Sequence, residues 1–266
     1  MSPALILGIR IGAAAVVFAA LALWEMLAPR RKLTTGRRPR WPGNLGIWAV
    51  DSVVLRLLGP LTVVGAALFA ADKGWGLFIL LGLPYWAALV AGVIALDLVI
   101  YCQHVVFHHV PWLWRLHRMH HADLDIDVTT GVRFHPLEIV LSLAIKMAAV
   151  IALGVPAEGV VIFEVLLNAT SMFNHSNVAL PPRLERVVRW IVVTPQMHQV
   201  HHSIAREETD SNFGFNLPWW DRLFGTYRAE PKAGEARLAV GLPIFREVAE
   251  LRIIRLLTQP FRGATR

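Results

Sequence analysis

Residues 97–121 read DLVIYCQHVVFHHVPWLWRLHRMHH, and this stretch decides the fold. It begins as an apolar helix and ends in imidazole. His104 and His108 stand four apart, and His117-x-x-His120-His121 follows beyond Pro111. The second word returns later as His198-x-x-His201-His202, so eight of the eleven histidines fall into three clusters. A helix places positions i, i+3 and i+4 on one face, and imidazole is the commonest metal ligand. Eight imidazoles are too many for one ion and suit two. The stretch therefore implies an all-α protein whose helices aim histidines at a dinuclear metal site.

Composition sets the surroundings. The chain is 55% hydrophobic with a mean hydropathy of +0.50, which fits one integral membrane domain better than two soluble ones. Six basic residues, Arg30, Arg31, Lys32, Arg37, Arg38 and Arg40, crowd beside a hydrophobic segment, as the positive-inside rule expects. No face interleaves aromatic and basic residues, so nucleic acid is not expected as a partner. The single cysteine, Cys102, excludes an internal disulfide and a thiolate-rich metal cage.

Candidate spans lie near 4–27, 45–71, 77–101, 137–153 and 157–174, about four to five in all. The first resembles a signal peptide, but its basic residues follow the apolar run apart from Arg10, which favours a retained anchor. The second carries Asp51 and Arg56, and the last two are short for a bilayer that needs about 20 residues. Residues 76–84 (GLFILLGLP) read as an interfacial or re-entrant piece, with the true span starting near Tyr85. If the basic loop at 29–41 is cytoplasmic, all three clusters fall on the cytoplasmic face. The 137–153 and 157–174 segments then form a hairpin around Gly154-Val155-Pro156.

Two polar stripes run from the bilayer towards the clusters. Asp97, Tyr101, His104 and His108 share one helical face, and Glu164, Asn168, Ser171 and His175 repeat the spacing. Such seams either line a cavity or join helices. Because both end in histidine, they are expected to line the reaction chamber. Lys146 and Glu164 lie equally far from the hairpin turn and are expected to pair, which offsets the cost of burying either.

The run DLVIYCQHVVFHHVPWLWRLHRMHHADLDIDVTTGVRFHPLE (97–138) resembles the fatty acid hydroxylase/sterol desaturase superfamily. FNHSN (173–177), VTPQMHQVHHS (193–203), NFGF (212–215) and WDRLFGTY (220–227) extend the resemblance, which covers about residues 45 to 228. It implies a membrane-bound helical bundle with a cytoplasmic histidine-rich cap, in a bacterial inner membrane or an ER-type membrane. It also implies two iron ions held by His104, His108, His117, His120, His121, His198, His201 and His202. His135 and His175 match recurrent family positions and are expected to ligate or to orient a ligand, whereas His109 matches none. The sequence departs from many relatives around Cys102-Gln103-His104-Val105, which touches the surroundings of the first ligand.

The activity so implied uses O2 and two external electrons to hydroxylate, or to desaturate, a C–H bond of a lipid such as a sterol, fatty acyl chain or alkylglycerol. Imidazoles also suit zinc, which would be an adventitious replacement. No Gly-rich nucleotide fingerprint is present, so electrons come from a separate reductase, ferredoxin or cytochrome. A homo-oligomer is left open. A metal transporter or electron carrier would also hold intramembrane histidines, but no inverted repeat is visible, and heme needs one or two axial histidines.

Three segments complete the reading. Residues 1–44 form a membrane anchor and basic loop, 45–228 a catalytic domain, and 229–266 a tail whose stretch Pro243 to Leu257 suggests an amphipathic interfacial helix. Asp123, Asp125 and Asp127 alternate as in a solvated turn, without calcium-loop spacing. Arg206, Glu207, Glu208 and Asp210 read as a solvated loop over the third cluster. Trp219, Trp220 and Tyr227 read as packing and interfacial anchors.

Overall fold

Proline, threonine and glycine punctuate the chain into helices. The computed structural model describes residues 3–58, 62–234 and 237–263. The first half runs α1 (Pro3–Leu27), α2 (Arg37–Leu57), α3 (Val63–Lys73), α4 (Leu77–Leu80), α5 (Tyr85–His109) and α6 (Pro111–His121). The second half runs α7 (Pro136–Leu153), α8 (Ala157–His175), α9 (Pro182–Val188), α10 (Pro195–His201), α11 (Arg206–Thr209), α12 (Trp219–Leu223) and α13 (Ile253–Thr258). Proline opens α6, α7, α9 and α10, where its missing N–H costs nothing. The Thr62 and Thr194 side chains cap α3 and α10 by accepting from Gly65 N and Met197 N. Among the described residues there is no strand, only the isolated bridges Pro29–Val178 and Ser203–Val240.

Among the described residues four helical stretches are long and apolar enough to cross a membrane: Ala4–Leu27, Val63–Leu80, Tyr85–His109 and Pro136–Leu153. The expected span at 45–71 is corrected. Helix α2 ends at Leu57, before Gly59-Pro60, and it buries Arg40, Asn44 and Asp51 against the rest of the protein. Those polar groups need partners that a lipid-facing helix lacks. The crossing is carried instead by 63–80, bent at Gly74, which takes a left-handed φ of 68°. Helix α5 begins at Tyr85, as its sequence implies.

Helices α3, α5, α7 and α8 bury one apolar core, with Val64, Leu96, Val150 and Phe163 at its centre. Helix α1 lies along α8, where Leu21 and Ala22 meet Met172. At one end the turns before α4 and after α7 touch, and a Cβ on Gly76 would sit 2.2 Å from the Gly154 nitrogen. Both glycines have positive φ, 121° and 73°, so this close approach needs glycine twice. From that turn α8 runs back through the bundle to His175 at the opposite end. The expected partner of Glu164 is also corrected. Its carboxylate forms a close ion pair with Arg10 of α1 at 3.4 Å, while Lys146 feels the Glu164 charge from farther off.

The histidine end is a cap tied to the anchor by buried charge. Arg40 donates from Nε and Nη2 to the two oxygens of Asp123, each at 2.7 Å, and from Nη1 to Asp127 at 2.5 Å. Asn44 adds a bond to Asp123 at 3.0 Å. The Asp125 carboxylate accepts the backbone N–H groups of Thr34, Thr35 and Gly36, and Glu25 of α1 accepts those of Val128 and Asn177. The Asp123–Asp127 segment is therefore a buried clamp rather than a solvated turn. The tail also differs from expectation. Residues 243–257 are not one helix but a 3-10 turn at Val248–Leu251 followed by α13, with Leu251 and Leu256 buried against α2. Gly43 and Gly46 of α2 leave the space that Leu251 and Ile253 occupy.

Candidate metal centre

Nine histidines converge in two groups. His104, His108, His117, His121 and His201 form one, and His120, His175, His198 and His202 form the other. Within each group the ligand nitrogens lie within 4.8 Å of one another. The repeated His-x-x-His-His word works as a splitter. On α6, His117 and His121 serve the first group while His120 turns to the second. On α10 the roles reverse: His198 and His202 serve the second group and His201 the first. One helical turn separates i from i+4, and i+3 lies on the flank, so each word reaches two points at once.

Six of the nine rings are aimed through Nδ1. His104 donates Nδ1–H to Phe213 O at 2.7 Å, His120 to Arg133 O at 3.0 Å, His175 to Ser171 O at 2.6 Å and His201 to Ser211 O at 2.7 Å. His117 and His108 use carboxylates, Glu138 at 2.7 Å and Asp210 at 3.3 Å. A neutral imidazole that donates from Nδ1 carries a bare lone pair on Nε2. Such lone pairs face one another at 3.0 Å between His104 and His117 and at 2.9 Å between His120 and His175, and the Nε2 atoms of His121 and His198 approach those of His117 and His175 at 3.2 and 2.9 Å.

Such an arrangement repels itself unless a cation lies between. A metal–nitrogen bond of about 2.1 Å puts neighbouring ligand nitrogens about 3.0 Å apart and opposite ones about 4.2 Å apart. Both separations fit the observed groups. The Nε2 atoms of His201 and His202 are buried with no hydrogen-bond partner, which is how a ligand nitrogen stands when its metal is left out of account. Burial holds the rings neutral and able to ligate. It pushes the His117 imidazole down to about 3, and those of His120, His121, His198, His201 and His202 well below the ordinary range. Aromatic rings close the walls: Phe134 stacks on His120 at 4.4 Å, Trp114 lies 4.9 Å from His108, and Phe213 lies 5.0 Å from His108.

The other singled-out residues have different places. His135 belongs to neither group, which corrects its assignment as a ligand. Its Nδ1 caps α7 by accepting from Leu137 N, and its Nε2 donates to Leu257 O at 3.1 Å. His109 is exposed and bonded to its own helix at Val105 O. The polar stripes join elements. The Asp97 carboxylate accepts from Trp220 Nε1 at 2.8 Å and Leu217 N at 3.2 Å, and the Tyr101 hydroxyl meets Thr226 Oγ1 at 2.9 Å. Asn168 bonds back to Glu164 O, and Ser171 donates to Gly131 O at 2.9 Å. Sequence reasoning passed over Glu138 and read Asp210 only as part of a solvated loop. Glu138 stands three residues after His135 in the first turn of α7, beside the site, and that adjacency was its only signal.

This constellation brings nine buried histidines into two groups, each able to hold a metal ion, at one end of a helical bundle with four candidate membrane spans. Residues 89–226, slightly more than half of the chain, match the family model described as "Fatty acid hydroxylase", and the chain belongs to that family. It is 26% identical over 157 residues to the ornithine lipid hydroxylase OlsE of Rhizobium tropici, covering 59% of this chain and 46% of the relative. It is 30% identical over 201 residues to the alkylglycerol monooxygenase of Homo sapiens, covering 71% and 42%. It is also 30% identical over 158 residues to a very-long-chain aldehyde decarbonylase of Oryza sativa subsp. indica, covering 54% and 23%. The chain thus spans less than half the length of these curated relatives. No solved structure matches it.

Proposed function

We propose that the protein is a membrane-bound di-iron oxidoreductase that uses O2 to hydroxylate, or to desaturate, a C–H bond of a membrane lipid. The observation that carries this reading is the pair of five- and four-histidine groups with their Nε2 lone pairs facing inward. Neutral nitrogen donors alone fit several metals, and the dioxygen chemistry of this reading calls for iron rather than zinc. Iron bound there would supply dioxygen activation and redox change, which zinc cannot. The net reaction takes a lipid C–H, O2, two electrons and two protons to a lipid C–OH and water.

The chain's own residues contribute position and exclusion. His104, His108, His117, His121 and His201 would hold one iron, and His120, His175, His198 and His202 the other. Glu138 and Asp210 orient His117 and His108 and make those rings better donors. Phe134, Trp114 and Phe213 keep bulk water from the centre. The lipid substrate is supported by the relatives, whose names specify ornithine lipids, alkylglycerols and very-long-chain aldehydes. The basic residues from Arg30 to Arg40 share the histidine end through the Arg40 clamp, which supports a cytoplasmic site under the positive-inside rule. A separate redox protein would deliver the electrons there.

The test is reconstitution with ferrous iron in lipid nanodiscs, with a chemical reductant and 18O2. Mass spectrometry of the extracted lipids should find 18O incorporation or a mass loss of two hydrogens, absent from a His120→Ala variant. Unchanged lipids in the iron-loaded, reduced protein across bacterial and eukaryotic lipid extracts would overturn the assignment.

A further inference from the structure

The cap exposes an apolar surface beside the centre. The turn that follows α9 is joined to α12 by Trp219 Nε1 donating to Trp190 O at 2.8 Å and by the Arg222 guanidinium stacked 4.2 Å over the Trp190 ring. Together they leave Trp190 59%, Ile191 61%, Leu223 68% and Phe224 55% exposed. A contiguous patch of large apolar side chains marks a contact surface on any protein. Its depth says what it contacts. The segment 217–226 is bonded to Asp97 and Tyr101 of α5, well inside the span that ends at His109. At 1.5 Å per residue, Asp97 lies about 18 Å and Tyr101 about 12 Å below that end. A bilayer boundary at that end of the candidate span would set the patch at the level of acyl chains. On α5 itself Ile94, Cys102 and Val106 are also exposed. Arg183 and Arg186 stand exposed on α9, placed for phosphate groups at the bilayer surface.

From this patch an aromatic file leads inward. Phe224 stacks on Tyr101 with centroids 5.5 Å apart, and Tyr101 meets Phe213 edge-on at 6.4 Å. Phe213 in turn lies 5.4 Å from His104, 5.0 Å from His108 and 5.5 Å from His201. Phe224 is exposed, while Tyr101 and Phe213 are buried. One end of the file faces lipid and the other faces the five-histidine group.

We propose that the α9–α12 patch is embedded in the bilayer and forms the portal through which a phospholipid acyl chain approaches the metal centre, with Phe224 as its outer gate. This rests on the lipid-oxidising reading for its purpose but not for its test, which needs no turnover. The full chain in a Cys102→Ser background is labelled with a bimane probe at Leu223→Cys and, separately, at Glu230→Cys. Nanodiscs contain phosphatidylglycerol and phosphatidylcholine carrying a nitroxide on the acyl chain. The probe at 223 is expected to be quenched about two-fold or more by the acyl nitroxide and shielded from aqueous iodide, and the probe at 230 the reverse. Quenching of the 223 probe by iodide instead, or its crosslinking to a second copy of the chain, would overturn the embedding.

A diazirine-bearing acyl lipid then tests the portal. Photolysis should label the 97–109 and 212–227 peptides in wild type and in Phe224→Leu. Phe224→Arg should lose most labelling of 97–109 while retaining its metal content. Labelling of 97–109 that persists in Phe224→Arg would sink the portal. Labelling without any oxidised lipid in the 18O experiment would sustain the portal and remove the oxygenase reading.

Discussion

The Nε2 atoms of His120 and His175 face each other at 2.9 Å although each ring already donates its Nδ1–H, to Arg133 O and Ser171 O. Two bare lone pairs at that separation are stable only around a cation. The bound metals should therefore be a large part of the folding free energy. An ion at about 100 times its Kd contributes about 2.7 kcal/mol per site. Exhaustive chelation should lower the melting temperature by on the order of 10 °C, with recovery on adding back Fe2+ or Zn2+. A chelated protein that melts where the loaded one does would mean that no cation fills these groups.

Unequal donor numbers make the two groups separable. His175→Ala leaves three donors in its group, whereas His121→Ala leaves four in the other. Elemental analysis should give two metals per chain in wild type, close to one in His175→Ala, and nearly two in His121→Ala with a weakened second ion. Loss of both metals in either variant with the helical circular dichroism intact would contradict two separable groups.

Glu138 acts on the metal through His117, whose Nδ1–H it accepts at 2.7 Å. Replacing a carboxylate partner of a ligating histidine typically costs about 10- to 100-fold in metal affinity. Glu138→Gln keeps the shape and removes the charge, so chelator competition should show a weakening of that size. Asp210→Asn is expected to do less, because its contact with His108 is longer, 3.3 Å, and its carboxylate is partly exposed. Equal affinity in Glu138→Gln and wild type would show that the carboxylate merely fills space.

Arg40 is fully buried between Asp123 and Asp127, whose segment follows directly on His121. Removing one partner of such a pair costs about 3–5 kcal/mol because the other charges stay buried. Arg40→Met should destabilise by that order. Arg40→Lys should rescue little, since an ammonium cannot match the two-pronged contact with Asp123. Thermal unfolding in detergent, with metal content measured alongside, checks both. The Arg40 guanidinium holds the Asp123 carboxyl far below the usual carboxylate range. A depressed carboxylate loses its contribution only as pH falls through its folded value, so the clamp should hold unchanged from pH 5 to pH 8.

The histidines were legible because a ligand set has a periodic signature, and α6 and α10 start where proline puts them. The division into five and four was not, because i, i+3 and i+4 share a face and the partition depends on what surrounds the helix. Arg40 read as one more juxtamembrane charge, and Asp123, Asp125 and Asp127 as a polar turn. Nothing local says that charges distant in sequence will be buried together. Residues 45–71 looked like a span because hydropathy averages over Asp51 and Arg56, whereas the fold turns Asp51 inward and leaves Arg56 exposed. His135 and Glu138 share one helix start, and only the direction of α7 decides which of them meets the centre.

Asp51 offers a pH test outside the spans. Its carboxyl is 5% exposed, its Oδ1 has no hydrogen-bond partner, and burial, with the charge of Glu138 adding, pushes it up to about 8. In the unfolded chain the group ionises near the ordinary value of about 3.9. The folded protein therefore keeps a proton that the unfolded chain gives up. Its stability is full below about pH 4 and declines until about pH 8, where both states are ionised. Asp51→Asn removes that titration and keeps the shape. The variant should match wild type near pH 4.5 and exceed it by an amount that grows to a few kcal/mol, on the order of 2 to 4, at pH 8. Metal-loaded samples should be compared so that titration of the histidines does not enter. A stability difference between the two proteins that stays constant from pH 4.5 to pH 8 would show that Asp51 is ionised in the fold throughout.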